Sequence, residues 1–270
     1  MAIFYWKGGV NTAWATATNW FKDEALTVAA GAFPNDSSAI AVIPASGSLA
    51  SIVTLGANRS IAAFIDFSDG TYRFEAVDYT LTVGSASFVG ASSNSIGNIT
   101  GGCSFSGVGS KNYTGGTVTG GCIFSGTTTT TRNQGTIIGG CIFSGDSSRQ
   151  QGAVTGDCLF SGNGTRQLSG TITGNCIFSE TLARHSGGTI TGDCIFNSTG
   201  ANSATVVGTC VFSGTSTGNN GGTITGNAIF HTGTGMSNSG TVSGVIVPLV
   251  PITNTGTAGS LPIDALVSGI

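Results

Sequence analysis

Thr171-Ile172-Thr173-Gly174-Asn175-Cys176-Ile177-Phe178-Ser179 is the clearest copy of a phrase that recurs about nine times between Gly97 and Val247. It returns as Thr189 to Asn197, and as Thr223 to His231 with Ala228 in the place of the cysteine. Its first aliphatic residue falls at Ile99, Val118, Ile137, Val154, Ile172, Ile190, Val206, Ile224 and Val242, at intervals of 16 to 19 residues. A period of this size marks a solenoid: one coil cannot bury its apolar side alone, and stacking the coils closes the core.

Within Cys-Ile-Phe and Thr-Ile-Thr, neighbouring residues must face opposite sides of a strand. The reading that buries most points the aliphatic, cysteine and phenylalanine columns inward and the threonines outward. Stacked at about 4.8 Å, the core ladders are Cys103, Cys122, Cys141, Cys158, Cys176, Cys194 and Cys210, and Phe105, Phe124, Phe143, Phe160, Phe178, Phe196, Phe212 and Phe230. Gly-Asn or Gly-Asp pairs sit at the corner between the two strands, where glycine permits unusual dihedrals. The Gly, Thr, Ser and Asn residues that follow, such as Gly126 to Gly135, form a variable third side. The fold class expected is all-β: a single-stranded parallel β-solenoid with coils of about 18 residues, its handedness left open. An aromatic-rich cap or attachment segment occupies 1–38, irregular coils 39–96, regular coils 97–247, and a proline-interrupted tail 248–270.

Composition narrows the function. Glycine is 45 of 270 residues and charged residues are 8%, against about 25% in ordinary domains. The net charge of −3 points to no nucleic-acid partner, and no apolar run is long enough to insert in a membrane. The N-terminus lacks the basic and apolar regions of a secretory signal. All seven cysteines share one column. In register their Cβ atoms stand beyond the usual disulfide reach, no Cys-x-x-Cys pair suggests zinc, and Ala228 shows that the position wants smallness. They are expected as buried thiols, a state that a reducing cytoplasm preserves. No metal and no cofactor is expected.

Catalysis has little material. Asp157 and Asp193 share the corner column with Asn175 between them, about 10 Å apart. Such a gap suits a pair of glycosidase acids, but corners favour Asp and Asn for turn reasons alone. His185 and His231 fall in different columns. The chain is therefore expected not to be an enzyme.

Three outward features are candidates for partners. Lys111, Arg149, Arg166 and Arg184 each follow a cysteine by eight residues, and Arg132 by ten, giving a cationic column suited to an acidic or glycan surface. Thr117/Thr119, Thr171/Thr173, Thr189/Thr191 and Thr223/Thr225 form a Thr-x-Thr array like the ice-binding face of antifreeze solenoids, interrupted at Ala153, Ile138 and Val207. Ile123, Ile142, Leu159, Ile177, Ile195, Val211 and Ile229 form an exterior apolar column, and the tail from Val245 is apolar. Both suggest a homo-oligomer, a trimer foremost. Trp6, Trp14 and Trp20, all in the first segment, are candidates for docking.

The order Trp6, Trp14, Asn19-Trp20 and Pro34, followed by Ser60 to Phe64 and Tyr79 to Val83, resembles the start of β-helical passenger regions in bacterial autotransporters and haemagglutinin-like adhesins. It is also similar to solenoid segments of phage fibres and other virion appendages. The resemblance covers roughly residues 4 to 90, and no functional residue carries over from it. It implies a structural role. With no export signal, the expectation is a virion protein assembled in the host cytoplasm, a fibre or a capsid or tail decoration that associates with itself and with other virion proteins. The repeat block alone makes a rod roughly 43 Å long. A bacterial surface adhesin or surface-layer fibre is the alternative, and an ice-binding solenoid the third.

Overall fold

The structure is a computed structural model; it describes residues 1–45, 52–68, 72–89, 93–106, 112–126, 131–197, 199–214 and 218–260. The chain is an all-β parallel β-solenoid with coils of about 18 residues, and it divides into two units, Met1–Gly139 and Gly140–Ile270.

In the C-terminal unit the quoted phrase supplies two strands of a coil, Thr171–Thr173 and Cys176–Phe178. Each pairs in parallel with its equivalent one coil on: Thr171 with Thr189, Ile172 with Ile190, Cys176 with Cys194 and Phe178 with Phe196. Identical residues therefore stack. The rings of Phe143, Phe160, Phe178, Phe196, Phe212 and Phe230 lie 4.6 to 5.1 Å apart between centroids and within 9° of parallel. All are fully buried, as are Ile172, Ile190, Val206 and Ile224. The thiols of Cys141, Cys158, Cys176, Cys194 and Cys210 form no disulfide and are buried beside them. Each Phe buries a side chain worth roughly 1.5–3 kcal/mol of transfer energy, which is what closes the coil.

The corner column has its own logic. Asp157 Oδ1 accepts from the Asn175 N–H at 2.7 Å, Asn175 Oδ1 from the Asp193 N–H at 2.9 Å, and Asp193 Oδ1 from the Thr209 N–H at 2.8 Å. Each short side chain reaches one coil along and satisfies a backbone donor that the turn leaves without a strand partner. The glycines at the other corner are obligatory. Gly170 and Gly188 adopt φ of +76° and +80°, and a Cβ there would lie 1.8 and 2.2 Å from the carbonyl oxygens of Gly152 and Gly170.

The third side is not a loop. It carries a third strand in each coil, among them Arg149–Gln150, Arg166–Gln167, Arg184–His185, Ala201–Asn202 and Asn219–Asn220. The second residue of each pair faces inward and is fully buried. Asn202 Nδ2 donates to Asn220 Oδ1 at 2.9 Å, Asn220 Nδ2 to Asn238 Oδ1 at 2.7 Å, and Asn238 Nδ2 to Asn254 Oδ1 at 2.9 Å. The same oxygens accept the N–H two residues on, from Ala204 to Asn202 and from Gly222 to Asn220. One amide thus closes its own corner and bonds the next coil, as a buried polar group must.

This amide ladder extends the solenoid beyond its expected end. Ile252–Asn254 and Thr257–Ser260 are strands paired with Met236–Asn238 and Thr241–Pro248, so the coil pattern reaches Ser260 and not 247. Pro248 does not interrupt pairing but stands opposite Phe230. On its other side no described strand takes a bond from it, and the missing N–H is tolerated there. Pro262 and the remainder of the apolar tail, 261–270, lie outside the described residues.

The N-terminal unit begins earlier than expected too. Ile3–Trp6 pairs in parallel with Ile40–Ile43, which pairs with Arg59–Asp66, so the stack starts at Ile3 and not at 39. Two long strands follow, Tyr72–Phe88 and Ser93–Phe105, paired along most of their length. Phe88, Phe105 and Phe124 stack 4.7 and 4.9 Å apart, and Cys103 and Cys122 are buried next to them. Burial pushes the Cys122 thiol well above its usual range, and the Cys103 thiol beside it adds to the rise.

The three tryptophans form the expected aromatic cap and correct the docking alternative. Trp6, Trp14 and Trp20 are fully buried and offer no docking surface. Trp20 packs edge-on against both of the others, at 4.9 and 4.8 Å, and Trp14 reaches Phe64 at 6.2 Å. Trp14 Nε1 donates to the Pro34 carbonyl at 2.8 Å and Trp20 Nε1 to the Trp14 carbonyl at 2.7 Å. Large rings with a polar edge plug the apolar mouth of the first coils; Trp14 and Trp20 spend their N–H groups on the chain, while Trp6 Nε1 is buried without a partner. Asn19 clamps the intervening loop, accepting from the Val10 N–H and donating to the Asn11 and Ala13 carbonyls.

Candidate functional site

The third strand positions the strongest candidate. Because Gln150, Gln167 and His185 face inward, alternation turns Arg149, Arg166 and Arg184 outward. The register places Arg149 opposite Arg166 and Arg166 opposite Arg184. Arg149 and Arg166 are partly exposed and Arg184 is exposed. Ala201 ends the column. In the N-terminal unit Arg132 is partly exposed and stands opposite Asn112. Counting eight residues from Cys103 had selected Lys111. The register sets Arg132 against Asn112, and Lys111 lies outside the described residues.

The two other outward features are also placed. Thr171, Thr189, Thr205, Thr223, Thr241 and Thr257 align rung by rung. The companion column is broken by Ile138 and Val207, each more than 40% exposed. Between this array and the third side runs a trough of about 440 Å³ lined by Ser203, Thr205, Gly222, Thr223, Ser239 and Thr241 among others. It holds hydroxyls and glycines but no charged or aromatic group. The apolar column is in register from Ile142 to Val247, with Ile142 and Ile177 exposed by 39% and 38%. In the N-terminal unit Ile123 is exposed by 44%.

The groups considered for catalysis are occupied with the fold. Asp157 and Asp193 each accept a backbone N–H from the next coil, and no cluster among the described residues has the makings of a metal site. His185, whose burial the sequence did not signal, is the titratable member of the polar ladder among the described residues of the C-terminal unit. Its Nδ1 lies 2.7 Å from Asn202 Oδ1. That oxygen already accepts from Ala204, so Nδ1 carries the proton. His185 Nε2 is buried and unpartnered, as is Gln167 Oε1 on the opposing rung. Compared with known proteins, the chain matches no family, no curated protein and no solved structure.

His185 gives the lattice a pH dependence. Burial lowers its pKa from 6.5, against smaller raising effects of Cys194, Asn202 and the Gly187 backbone. A folded base with a depressed pKa binds fewer protons than the unfolded chain, so stability falls as pH drops below about 6.5 and stops falling below the folded pKa. His185→Asn continues the amide ladder without a titrating group. It is expected to match the parent within about 1 kcal/mol at pH 7.5 and to lose less stability between pH 7 and 5, read from urea unfolding midpoints.

Proposed function

We propose that this chain is a non-enzymatic structural protein of a virion, a fibre or a capsid or tail decoration that associates with further copies of itself. The β-solenoid fold is compatible with a rigid structural or adhesin-like role. The observation that carries the reading is where the reactive side chains go. In the C-terminal unit the thiols form a core ladder, Asp157 and Asp193 hold corners, and His185 sits in the amide seam. Chemistry-bearing residues are spent on holding neighbouring coils together. Mass spectrometry and immunogold labelling of purified particles test the assignment; finding the chain on cell envelopes and never in virions would transfer it to a surface adhesin.

Self-association is assigned to the Ile142 to Val247 column, whose occupant is a second copy of the same ladder. Branched side chains repeating at strand spacing can interdigitate with an identical column, and an in-register apolar stripe is costly to leave in water. The double substitution Ile142→Asp with Ile177→Asp places unpaired charges in that seam. It is expected to shift sedimentation equilibrium from an oligomer to the 26.8 kDa monomer. A parent chain that is already monomeric at tens of micromolar, or an oligomer unaffected by the substitutions, rejects the seam.

A further inference from the structure

We infer that Arg149, Arg166 and Arg184 form a binding site for a linear acidic polysaccharide, laid along the coil axis with one anionic group per coil. The inference stands apart from the virion reading and holds equally for a chain on a cell envelope. Three guanidinium groups are brought to one line by the strand register, and the inward turn of Gln150, Gln167 and His185 leaves them no route but outward. None of the three has a side-chain partner among the described residues. No acid of this unit is paired with them among the described residues: Asp146 Oδ1 accepts the Asn163 N–H, Asp157 and Asp193 are held at the corner before the cysteine strand, and Glu180, exposed in the turn before Arg184, makes no side-chain bond to it. Like charges at strand spacing repel, and the fold retains them with no paired acid among the described residues.

The class of anion follows from what surrounds the column. Every aromatic residue of the C-terminal unit is a phenylalanine of the core stack, fully buried. The exposed His231 imidazole follows the Phe230 strand and is not on the third side, so no ring on this column is available to stack on a nucleobase, which single-stranded nucleic acids need for tight non-specific binding, nor on the apolar face of a neutral sugar. Recognition must come from charge and hydrogen bonds. Arginine pairs with carboxylate or sulfate through two parallel N–H donors. A linear polymer whose sugars each advance by about one strand spacing, about 4.8 Å, presents such groups at the repeat of the column. Uronate and sulfated polysaccharides have this form.

The test uses the full chain and polygalacturonate in titration calorimetry at low salt, with dextran as the neutral control. Binding is expected to polygalacturonate alone, weakening about tenfold or more between 50 and 200 mM salt as counter-ions compete. Arg149→Gln, Arg166→Gln and Arg184→Gln are each expected to weaken it roughly threefold to tenfold, and the triple variant to abolish it. Lys22→Gln, which removes a charge outside the column, should leave affinity unchanged. Thermal melting of the triple variant within a few degrees of the parent separates loss of the site from loss of the fold. Parent-like binding by the folded triple variant overturns the inference. Equal or tighter binding of oligo(dT) or polyphosphate also overturns it, because the column would then read charge alone.

Discussion

Phe178→Ala is expected to destabilise the C-terminal unit by about 3–5 kcal/mol, among the largest effects of any core substitution. Phe178 stacks on Phe160 at 4.6 Å and on Phe196 at 4.8 Å, with the planes within 7°. Removing the ring deletes two aromatic contacts together and opens a cavity that a lattice of fixed coil spacing cannot collapse to fill. The neighbours are pinned by backbone pairing on all three sides of the coil. Because solenoid stability is close to a sum of nearest-neighbour terms, the damage should be local. Hydrogen exchange should speed most for the coils containing Phe160, Phe178 and Phe196, and least for those near Phe230. Phe178→Leu keeps much of the volume and should cost less than half as much. Uniform loss of protection along the whole unit would contradict a nearest-neighbour stack.

Gly188→Val should be at least as damaging, through the backbone and not the core. Its φ of +80° is one that a β-branched residue rarely adopts, and its Cβ would fall 2.2 Å from the Gly170 carbonyl oxygen and 2.9 Å from the Ser169 carbonyl carbon. The obstruction is main chain, so no rotamer change relieves it. The coils must part at this corner, where the Thr189 N–H to Gly170 carbonyl bond of 3.0 Å closes the turn. Loss is expected to exceed about 3 kcal/mol. Gly221→Ala is the control: its Cβ would meet only ordinary contacts, at 3.7 Å and beyond, and it should change the unfolding midpoint little.

The columns that buried apolar side chains could be read from spacing alone. Ile172, Cys176 and Phe178 hold fixed offsets in every copy, and hydrophobic burial then sets the inward face. The third strand escaped because its inward residue is polar and changes identity: Asn133, Gln150, Gln167, His185, Asn202, Asn220, Asn238. A pattern of burial cannot be found by looking for apolar residues. The signal that was available is positional: each of these stands four or five residues ahead of the next core aliphatic. The arginine column emerged from counting, which succeeded for Arg149, Arg166 and Arg184, where coil lengths agree. Lys111 lies outside the described residues. The tryptophans carry no period, so composition left both a cap over the first coil and a docking surface open, and the buried rings are the cap. Their fate was decided by an open apolar end that only the stacked coils create.

The equivalence of Gly170-Thr171 and Gly188-Thr189 has a genetic consequence. The two junctions have the same residues and the same partners one coil apart. Excising residues 171–188 therefore joins a threonine to the glycine it already follows elsewhere, and every column is restored at the splice. Removing 17 residues there instead would leave one extra residue for a turn to absorb, as coils spaced at 16 to 19 residues already do. Length in this protein is thus counted in coils. Recombination between copies of the phrase can lengthen or shorten it by whole coils. A lineage can in this way retune how far the protein reaches without revising any single contact.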